Sequence, residues 1–218
     1  MSKRFIESEH KRDERGRFAE MDTSELKKRQ MIELEDRERV STHNEEAKRS
    51  HIEKVGAEYN LTSKEVNAVH KYVNSFNDGW YRKINQQLRD GVPLSKEDEE
   101  TCKYLDSALD KMPKFEGALL RVIDLKGEAL EKFLGDHKKG NIVKYKGYTS
   151  TSSSKVAQAQ GNIYISIANA KNGVDLRKFN ASQEEILYKR NSLFYVKNIE
   201  YIEGIYYILI GETQNEKQ

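Results

Sequence analysis

The sequence predicts an α+β fold, in which a helical segment is followed by a segment of short strands. Before Pro113, apolar side chains recur at helical spacing, as in Val66, Val69 and Val73. After Pro113 the chain consists of short apolar runs separated by turn residues, and residues 163–167 are the clearest of these runs. The order of the two segments places helices first and strands later, as in α+β domains.

A charged tail precedes this domain. The first fifty residues carry 13 basic and 13 acidic side chains but only two aromatic ones, Phe5 and Phe18. So little apolar surface cannot offset the entropy that ordering a chain costs. We therefore expect residues 1–51 to be a helical or disordered tail and residues 52–218 to be the folded domain.

Composition limits the classes of partner. The 218 residues are 34% charged with a net charge of +2, which gives no general attraction to nucleic acid or to an anionic membrane. The single Cys102 excludes an intrachain disulfide and fits a reducing compartment. Residues 1–18 lack the apolar core of a secretory signal, and no apolar run reaches membrane-spanning length. We expect a cytoplasmic protein, or one exported without such a signal, with no nucleic-acid or membrane partner.

The first predicted helix begins near residue 63. Ser63 can cap it, and Thr62 is the alternative cap. Val66, Val69 and Val73 then form its apolar side.

Two further helices follow. One covers residues 80–89 and ends at Gly91 and Pro93. Ser95 caps the next, which continues to about Lys111.

The second half of the chain predicts strands around one short helix at residues 128–134. A turn is predicted at residues 171–173, because Lys-Asn-Gly is typical of a turn. The predicted strands are residues 118–123, 142–149, 163–167, 186–188, 193–199 and 205–210.

A carboxylate lies immediately before one of these predicted strands. In an extended segment residues i and i+2 point to the same face, so Gln183 and Glu185 can project side by side into one pocket. On its own, the pair is better explained as part of a solvent-facing edge strand.

Two other segments upstream carry polar groups at strand positions. Arg121 interrupts the apolar run 118–123, and a cation there needs a partner if it is partly buried. Such a guanidinium can hold two phosphates in bidentate fashion, or it can reach water or an internal carboxylate. Residues 148–152, Tyr-Thr-Ser-Thr-Ser, supply a row of hydroxyls, for which a serine-rich loop is the alternative.

The order Arg121, then residues 150–152, then Gln183-x-Glu185 resembles the clostridial-type mono-ADP-ribosyltransferases of the Arg–Ser–Glu class. Residues 81–89 are similar to a helix of that family that ends in Ile-Asn-x-x-Leu-Arg, and the likeness covers roughly residues 55 to 212. It implies a fold of N-terminal helices followed by two packed, mostly antiparallel sheets that form an NAD cleft. It also implies transfer of ADP-ribose from NAD, as co-substrate, to a protein.

The resemblance also implies roles for individual residues. Glu185 would stabilise the ribose as positive charge develops on it, and Ser150 would orient that carboxylate. Arg121 would position NAD and complete the catalytic set together with Gln183. The residues implied as cofactor contacts are Arg121, Asn85, Arg89, Tyr148, Ser150, Thr151 and Glu185. For Asn85 and Arg89, a helix cap or a solvated helix face is nearly as good an interpretation.

Two positions bear on the acceptor. Gln183 lies where the family carries either Glu or Gln, and a neutral amide cannot draw a proton from arginine. Family members with Gln-x-Glu tend to modify other residues, so we expect an acceptor other than arginine. Phe179 lies where the family often carries an aromatic recognition residue, with a loop anchor packed on the core as the alternative.

Other chemistries lack support in the sequence. The five histidines and one cysteine show no metal-ligand spacing, so no metal is predicted. No Gly-x-Gly-x-x-Gly or Walker loop is present. An NAD glycohydrolase and a non-catalytic phage module with a vestigial fold remain as alternatives. The second rests on residues 12–18, which look like segments of bacteriophage head proteins. We expect a monomer that acts on a host protein, and a toxin and a phage effector both fit.

Overall fold

The computed structural model describes residues 44–74, 79–153, 160–179 and 184–213, and it confirms the α+β class. Residues 44–58 are helical and are called α1. Residues Arg49–Gln218 form one compact unit. Most of the predicted tail, including residues 12–18, lies outside the described residues, so a boundary at residue 51 stays a prediction. The other helices are α2 (Ser63–Asn74), α3 (Trp80–Asp90), α4 (Lys96–Lys111) and α5 (Gly127–Asp136).

The start of α2 is a capping box in which Thr62, the alternative cap, takes the capping role. The Thr62 hydroxyl accepts the Glu65 backbone N–H at 3.4 Å, and Glu65 Oε2 accepts the Thr62 backbone N–H at 2.7 Å. This reciprocal pairing satisfies two orphan donors of the helix terminus. Glu65 is also bonded to Ser107 at 2.6 Å and to Lys111 at 2.7 Å, so the same carboxylate ties α2 to α4.

The predicted signals that bound α3 and α4 are confirmed. Gly91 follows α3 with a φ of 71°, and its N–H bonds back to the carbonyls of Gln87 and Leu88. A positive φ favours glycine, which explains why the helix ends there. The Ser95 side chain caps α4 by accepting the Asp98 N–H at 3.1 Å.

Eight strands form one hydrogen-bonded sheet in the order β2-β7-β8-β4-β1-β3-β6-β5. Neighbours are antiparallel except for the parallel pair β4 and β8. The two-residue β5 was not predicted, because a pair of residues carries no periodicity. The strands are β1 (Gly117–Ile123), β2 (Ile142–Tyr145), β3 (Thr149–Ser152), β4 (Ile163–Ala170), β5 (Val174–Asp175), β6 (Glu185–Tyr188), β7 (Ser192–Ile202) and β8 (Ile205–Glu212).

The prediction of one strand over residues 142–149 was wrong. The segment divides at Gly147 into β2, which pairs with β7, and β3, which pairs with β1 and β6. The chain passes close to α3 at Gly147. If this glycine carried a Cβ atom, that atom would lie only 2.8 Å from Asn85 Oδ1. The chain therefore turns where it meets Asn85.

The two halves of the sheet meet at a seam between β1 and β3, where Leu120 and Ser152 are the registered pair. Two separate sheets were expected, but this seam joins them into one. One hydrophobic cluster lies between α1–α4 and the β3–β6–β5 end, and a second contains residues of β1, β2, β4, β6, β7 and β8, with α5 side chains packed against it. No helix among the described residues has the length and apolar character to span a membrane.

Candidate active site

Glu185 is the first residue of β6 and lies opposite Ser152 of β3. Its side chain is buried, with 8% of its surface exposed. Tyr72 of α2 donates a hydrogen bond to Glu185 Oε1 at 3.0 Å, and the Ser150 hydroxyl favours the ionised form of the carboxylate. Burial raises the pKa of Glu185, while the two hydroxyls and the charge of Arg121 hold that rise in check. The site thus contains a buried carboxylate that accepts a hydrogen bond from Tyr72 and whose ionised form Ser150 favours.

Arg121 lies on β1 beside this carboxylate. Its Nη1 donates to the backbone carbonyl of Ser150 at 2.6 Å. Burial lowers the pKa of Arg121, and the groups that act on it next most strongly are Tyr145, Tyr72 and Arg89 rather than a carboxylate. Arginine has five N–H donors in a planar fork. One of these donors bonds the Ser150 carbonyl, and the charged guanidinium could offer others to an anion.

Arg89 supplies a second cation near the first. It lies in the last turn of α3, is exposed, and donates to Gln86 Oε1 at 2.9 Å. Its charge lowers the pKa of Arg121, so the two guanidinium groups repel each other. Two neighbouring like charges are stabilised when an anion binds between them.

The hydroxyls of β3 alternate between two tasks. Ser150 turns toward Glu185, whereas the Thr151 hydroxyl donates to the Ile186 carbonyl at 2.7 Å and is 5% exposed. Alternation along a strand explains this division. Ser150 is therefore placed to act on the carboxylate, and Thr151 holds β3 against β6.

Tyr148 and Asn85 support the start of β3. Asn85 Oδ1 accepts the Tyr148 backbone N–H at 2.8 Å. The Tyr148 side chain is 5% exposed, and its oxygen lies 2.9 Å from Asp106 Oδ1 and 3.0 Å from the Cys102 carbonyl. Burial raises the pKa of Tyr148. The described contacts of both residues are to the protein, and their predicted role as cofactor contacts stays a prediction.

The predicted acceptor-side residues are placed differently. Phe179 is 4% exposed and packs in the core, with its ring centroid 6.1 Å from that of Tyr59. This is the placement of the loop anchor that was the alternative interpretation. Gln183 lies outside the described residues.

Sequence reasoning missed Tyr72, which bonds the carboxylate directly. It lies three residues after Val69 on the buried side of α2. That spacing is the one signal available, and it indicates burial rather than a polar contact. Tyr81 of α3 and Tyr145 of β2 were also missed, although both lie near Arg121.

Among the residues that the structure describes, no group of three His, Cys, Asp or Glu side chains is arranged to hold a metal ion. The arrangement instead suits a ligand with an anionic part and a reacting part. The guanidinium groups would bind the first. The buried carboxylate would face a centre that becomes positive, because an unscreened carboxylate stabilises a developing cation strongly.

Comparison with known proteins agrees with this geometry. Residues 49–217 match the sequence profile described as ADP-ribosyltransferase exoenzyme. The chain is 28% identical over 167 residues to the NAD(+)–protein-arginine ADP-ribosyltransferase Tre1 of Serratia proteamaculans, which covers 75% of this chain and 36% of Tre1. It is 31% identical over 121 residues to the putative NAD(+)–arginine ADP-ribosyltransferase Mav of Mycobacterium avium, covering 53% of this chain and 14% of that protein.

The chain thus spans about a third or less of the length of these two relatives. Among solved structures, the Clostridium limosum C3 exoenzyme superposes with a TM-score of 0.57 at 21% identity, covering 78% of this chain and 95% of that one. At this identity the superposition shows a shared fold.

Proposed function

The chain belongs to the ADP-ribosyltransferase exoenzyme family, and on that premise we propose that it transfers one ADP-ribose group from NAD to a side chain of another protein. The observation that supports the proposal is the proximity of Arg121, Ser150 and Glu185: Arg121 donates to the Ser150 carbonyl, and both residues favour the ionised form of Glu185. The chain contributes them from three strands, so their meeting is a property of the fold and not of one local motif.

The two guanidinium groups fit the diphosphate of NAD. Arg121 is half-buried. The side chains with the strongest electrostatic effect on it are Tyr145, Tyr72 and Arg89, and its own charge acts on Glu185. A planar guanidinium binds phosphate oxygens in bidentate fashion, and Arg89 adds a second positive charge. Both side chains would then gain an anionic partner.

Glu185 fits the ribose that carries nicotinamide. During transfer the bond between the ribose C1′ and the nicotinamide nitrogen breaks, and its electron pair leaves with the ring. The carboxylate of Glu185 stabilises the positive charge left on the ribose, which the ground state lacks. The Tyr72 hydroxyl holds the carboxylate in place before the reaction, and Ser150 favours its ionised form, so little reorganisation is needed. The acceptor then bonds to C1′ through a lone pair and releases its proton to water, so the products are the modified protein, neutral nicotinamide and one proton.

The acceptor is proposed to be a residue other than arginine. Gln183 supports this, because an amide can hydrogen-bond an incoming nucleophile but cannot accept its proton at neutral pH. The names of Tre1 and Mav point to arginine for those two proteins, which makes the acceptor the first property to measure.

Labelled NAD and a cell lysate test the proposed function. Wild-type protein should place the label on one or a few protein bands, and Glu185→Gln should reduce labelling to background. Free ADP-ribose without labelled protein would instead support the glycohydrolase. Background activity in both proteins would support the non-catalytic module.

Mass spectrometry of the labelled protein identifies the acceptor. Modification at asparagine, glutamine or a hydroxyl residue is expected. Modified arginine, or efficient transfer to the small guanidine agmatine, would overturn the proposed acceptor class while leaving the transferase activity standing.

A further inference from the structure

Tyr148 is held by hydrogen bonds at both of its ends. Its backbone N–H donates to Asn85 Oδ1 at 2.8 Å. At the far end of the buried side chain, the hydroxyl lies 2.9 Å from Asp106 Oδ1 and 3.0 Å from the Cys102 carbonyl. The single phenolic proton thus has two acceptors, of which the charged carboxylate is the stronger. The position of the Tyr148 ring therefore depends on residues of two helices, α3 and α4.

Asp106 is in turn held by Arg190, which lies in the turn between β6 and β7. Arg190 Nε donates to Asp106 Oδ2 at 2.7 Å, so the two oxygens of this carboxylate have different donors. The Nη1 and Nη2 atoms of the same guanidinium donate to the two oxygens of Glu99 at 3.0 and 3.2 Å. The side chains of Arg190 and Asp106 are 14% and 20% exposed, so water screens this pair less than a surface pair. Asp106 therefore presents Oδ1 to Tyr148 from a fixed position.

The Tyr148 ring contacts the side chain that bonds the candidate catalytic carboxylate. Its centroid lies 6.1 Å from that of Tyr72, with 58° between the ring planes. Aromatic rings attract each other at such separations and tilts. Tyr72 then donates to Glu185 Oε1 at 3.0 Å. A continuous series of contacts therefore connects Asp106 of α4 to Glu185 through the rings of Tyr148 and Tyr72.

We propose that Asp106 is a positioning residue, which holds the Tyr148 ring against Tyr72 and so keeps the Tyr72 hydroxyl within hydrogen-bonding distance of Glu185. Its part in ADP-ribose transfer rests on the proposed function, whereas its effect on Glu185 does not. The Tyr72 hydroxyl stands at the end of a rigid ring, so a shift of that ring changes the length and angle of the bond. Hydrogen bonds weaken steeply when their angle departs from linearity.

Asp110 provides a matched control on the same helix. It lies one turn after Asp106 and pairs with Lys189, the residue before Arg190, at 2.8 Å. In the described part of the chain, the hydrogen bonds of its carboxylate come from Lys189 and none comes from Tyr148. Asp106→Asn and Asp110→Asn thus each remove one charge from a pair between the same two segments. Asparagine has one acceptor oxygen, so at position 106 it cannot serve both donors.

Carbon NMR tests the proposal without NAD. In protein with labelled glutamate, the Glu185 carboxyl signal is assigned by its loss in Glu185→Gln, and its pKa is read from a pH titration. The groups that act on this carboxylate are Tyr72 of α2, Ser150 of β3 and Arg121 of β1. The titration of Glu185 therefore reports directly on the bond from Tyr72.

Asp106→Asn should lower the acid dissociation constant of Glu185 by a factor between about two and ten. Ten is the upper limit, because Tyr72→Phe removes the whole bond and should lower the constant about tenfold. Loss of a negative charge would by itself favour the ionised form of Glu185, so a direct electrostatic effect has the opposite sign. Asp110→Asn should change the constant less than about twofold. A wild-type constant in Asp106→Asn, or one that is raised, would overturn the proposal.

Two further variants test the route through the rings. Tyr148→Phe removes only the hydroxyl and should also lower the constant, so it decides the matter if Asp106→Asn does not fold. In the double variant of Tyr72→Phe and Asp106→Asn, Glu185 should titrate as in Tyr72→Phe alone, because the positioned bond is already absent. Effects that multiply would overturn the proposal.

Transfer assays separate the positioning role from the proposed function. Asp106→Asn should lower the transfer rate at acidic pH and leave the NAD dissociation constant, measured by calorimetry, unchanged within about twofold. Weaker binding of NAD would overturn the proposal, because Asp106 would then act on the cofactor. Wild-type protein that transfers nothing would end the proposed function, whereas the Glu185 titrations would still decide the positioning role.

Discussion

Replacement of Tyr72 by phenylalanine should lower the rate of ADP-ribose transfer at acidic pH more than at alkaline pH. The Tyr72 hydroxyl donates to buried Glu185 at 3.0 Å and favours its ionised form. Phenylalanine retains the ring, which contacts Tyr81 and Tyr148 with centroids 6.1 Å away in each case. The substitution therefore removes a donor and little packing.

The magnitude follows from the type of bond that is lost. A hydrogen bond to a charged group contributes about 1.5 to 3 kcal/mol, and Ser150 still favours the ionised form of Glu185, so we take the lower figure. It corresponds to roughly a tenfold loss of the ionised fraction of Glu185 wherever that group is partly protonated. Loss of the donor raises the pKa of Glu185 further above its ordinary value. At alkaline pH the carboxylate is ionised in both proteins, so their rates should converge.

Initial rates of ADP-ribose transfer, measured from acidic to alkaline pH, test this reasoning. The acid limb of the Tyr72→Phe profile should lie at higher pH than that of wild type, with about a tenfold deficit at its acidic end. Tyr104→Phe is the control, because that hydroxyl accepts a bond from Lys64 at the surface of α4. A deficit of equal size at every pH would refute the role assigned to Tyr72, and so would an unchanged profile.

Two further substitutions give stability predictions. Burial raises the pKa of Glu185 in the folded state, so the fold favours the protonated form and loses stability as pH rises through that pKa. Glu185→Gln should therefore be about 1 kcal/mol more stable than wild type to urea at neutral pH. This gain in stability should vanish at acidic pH. A variant that is less stable than wild type at neutral pH would contradict burial as the cause of the raised pKa of Glu185. Thr62→Ala removes the cap that pairs with Glu65 and should cost about 1 kcal/mol of unfolding free energy. Serine at the same position should restore most of it, and transfer activity should be unchanged in both variants.

Local chemistry explains what the sequence could predict. Gly91 and Ser95 correctly predicted helix ends, because each acts on the backbone within one helical turn. Such local effects can be predicted from a few consecutive residues. The α+β class could be predicted as well, since apolar residues recur at helical spacing in the first half of the domain and at strand spacing in the second. The Arg121, Ser150 and Glu185 set was found through its order along the chain, and the structure brings these residues together.

Contacts between distant segments explain the rest. The division of residues 142–149 depends on Asn85, which lies more than fifty residues earlier and has no local signature. Tyr72 follows an ordinary helical spacing, and only the placement of α2 against β6 makes it a donor to Glu185. Phe179 is of the residue type expected for a recognition side chain. In the fold its ring is instead buried next to that of Tyr59, a residue 120 positions earlier.

The bond from Arg121 to the Ser150 carbonyl has a mechanical consequence. At the seam β1 and β3 share one registered residue pair, and a charged side chain supplies a hydrogen bond to β3 that neighbouring main chain would ordinarily give. A ligand that turned this guanidinium would pull on the strand that carries the Ser150 hydroxyl. Arg121→Ala would thus remove both the charge and the side-chain hydrogen bond to β3. Arg121→Lys would keep the charge, so its effect would report the loss of the guanidinium contact with β3.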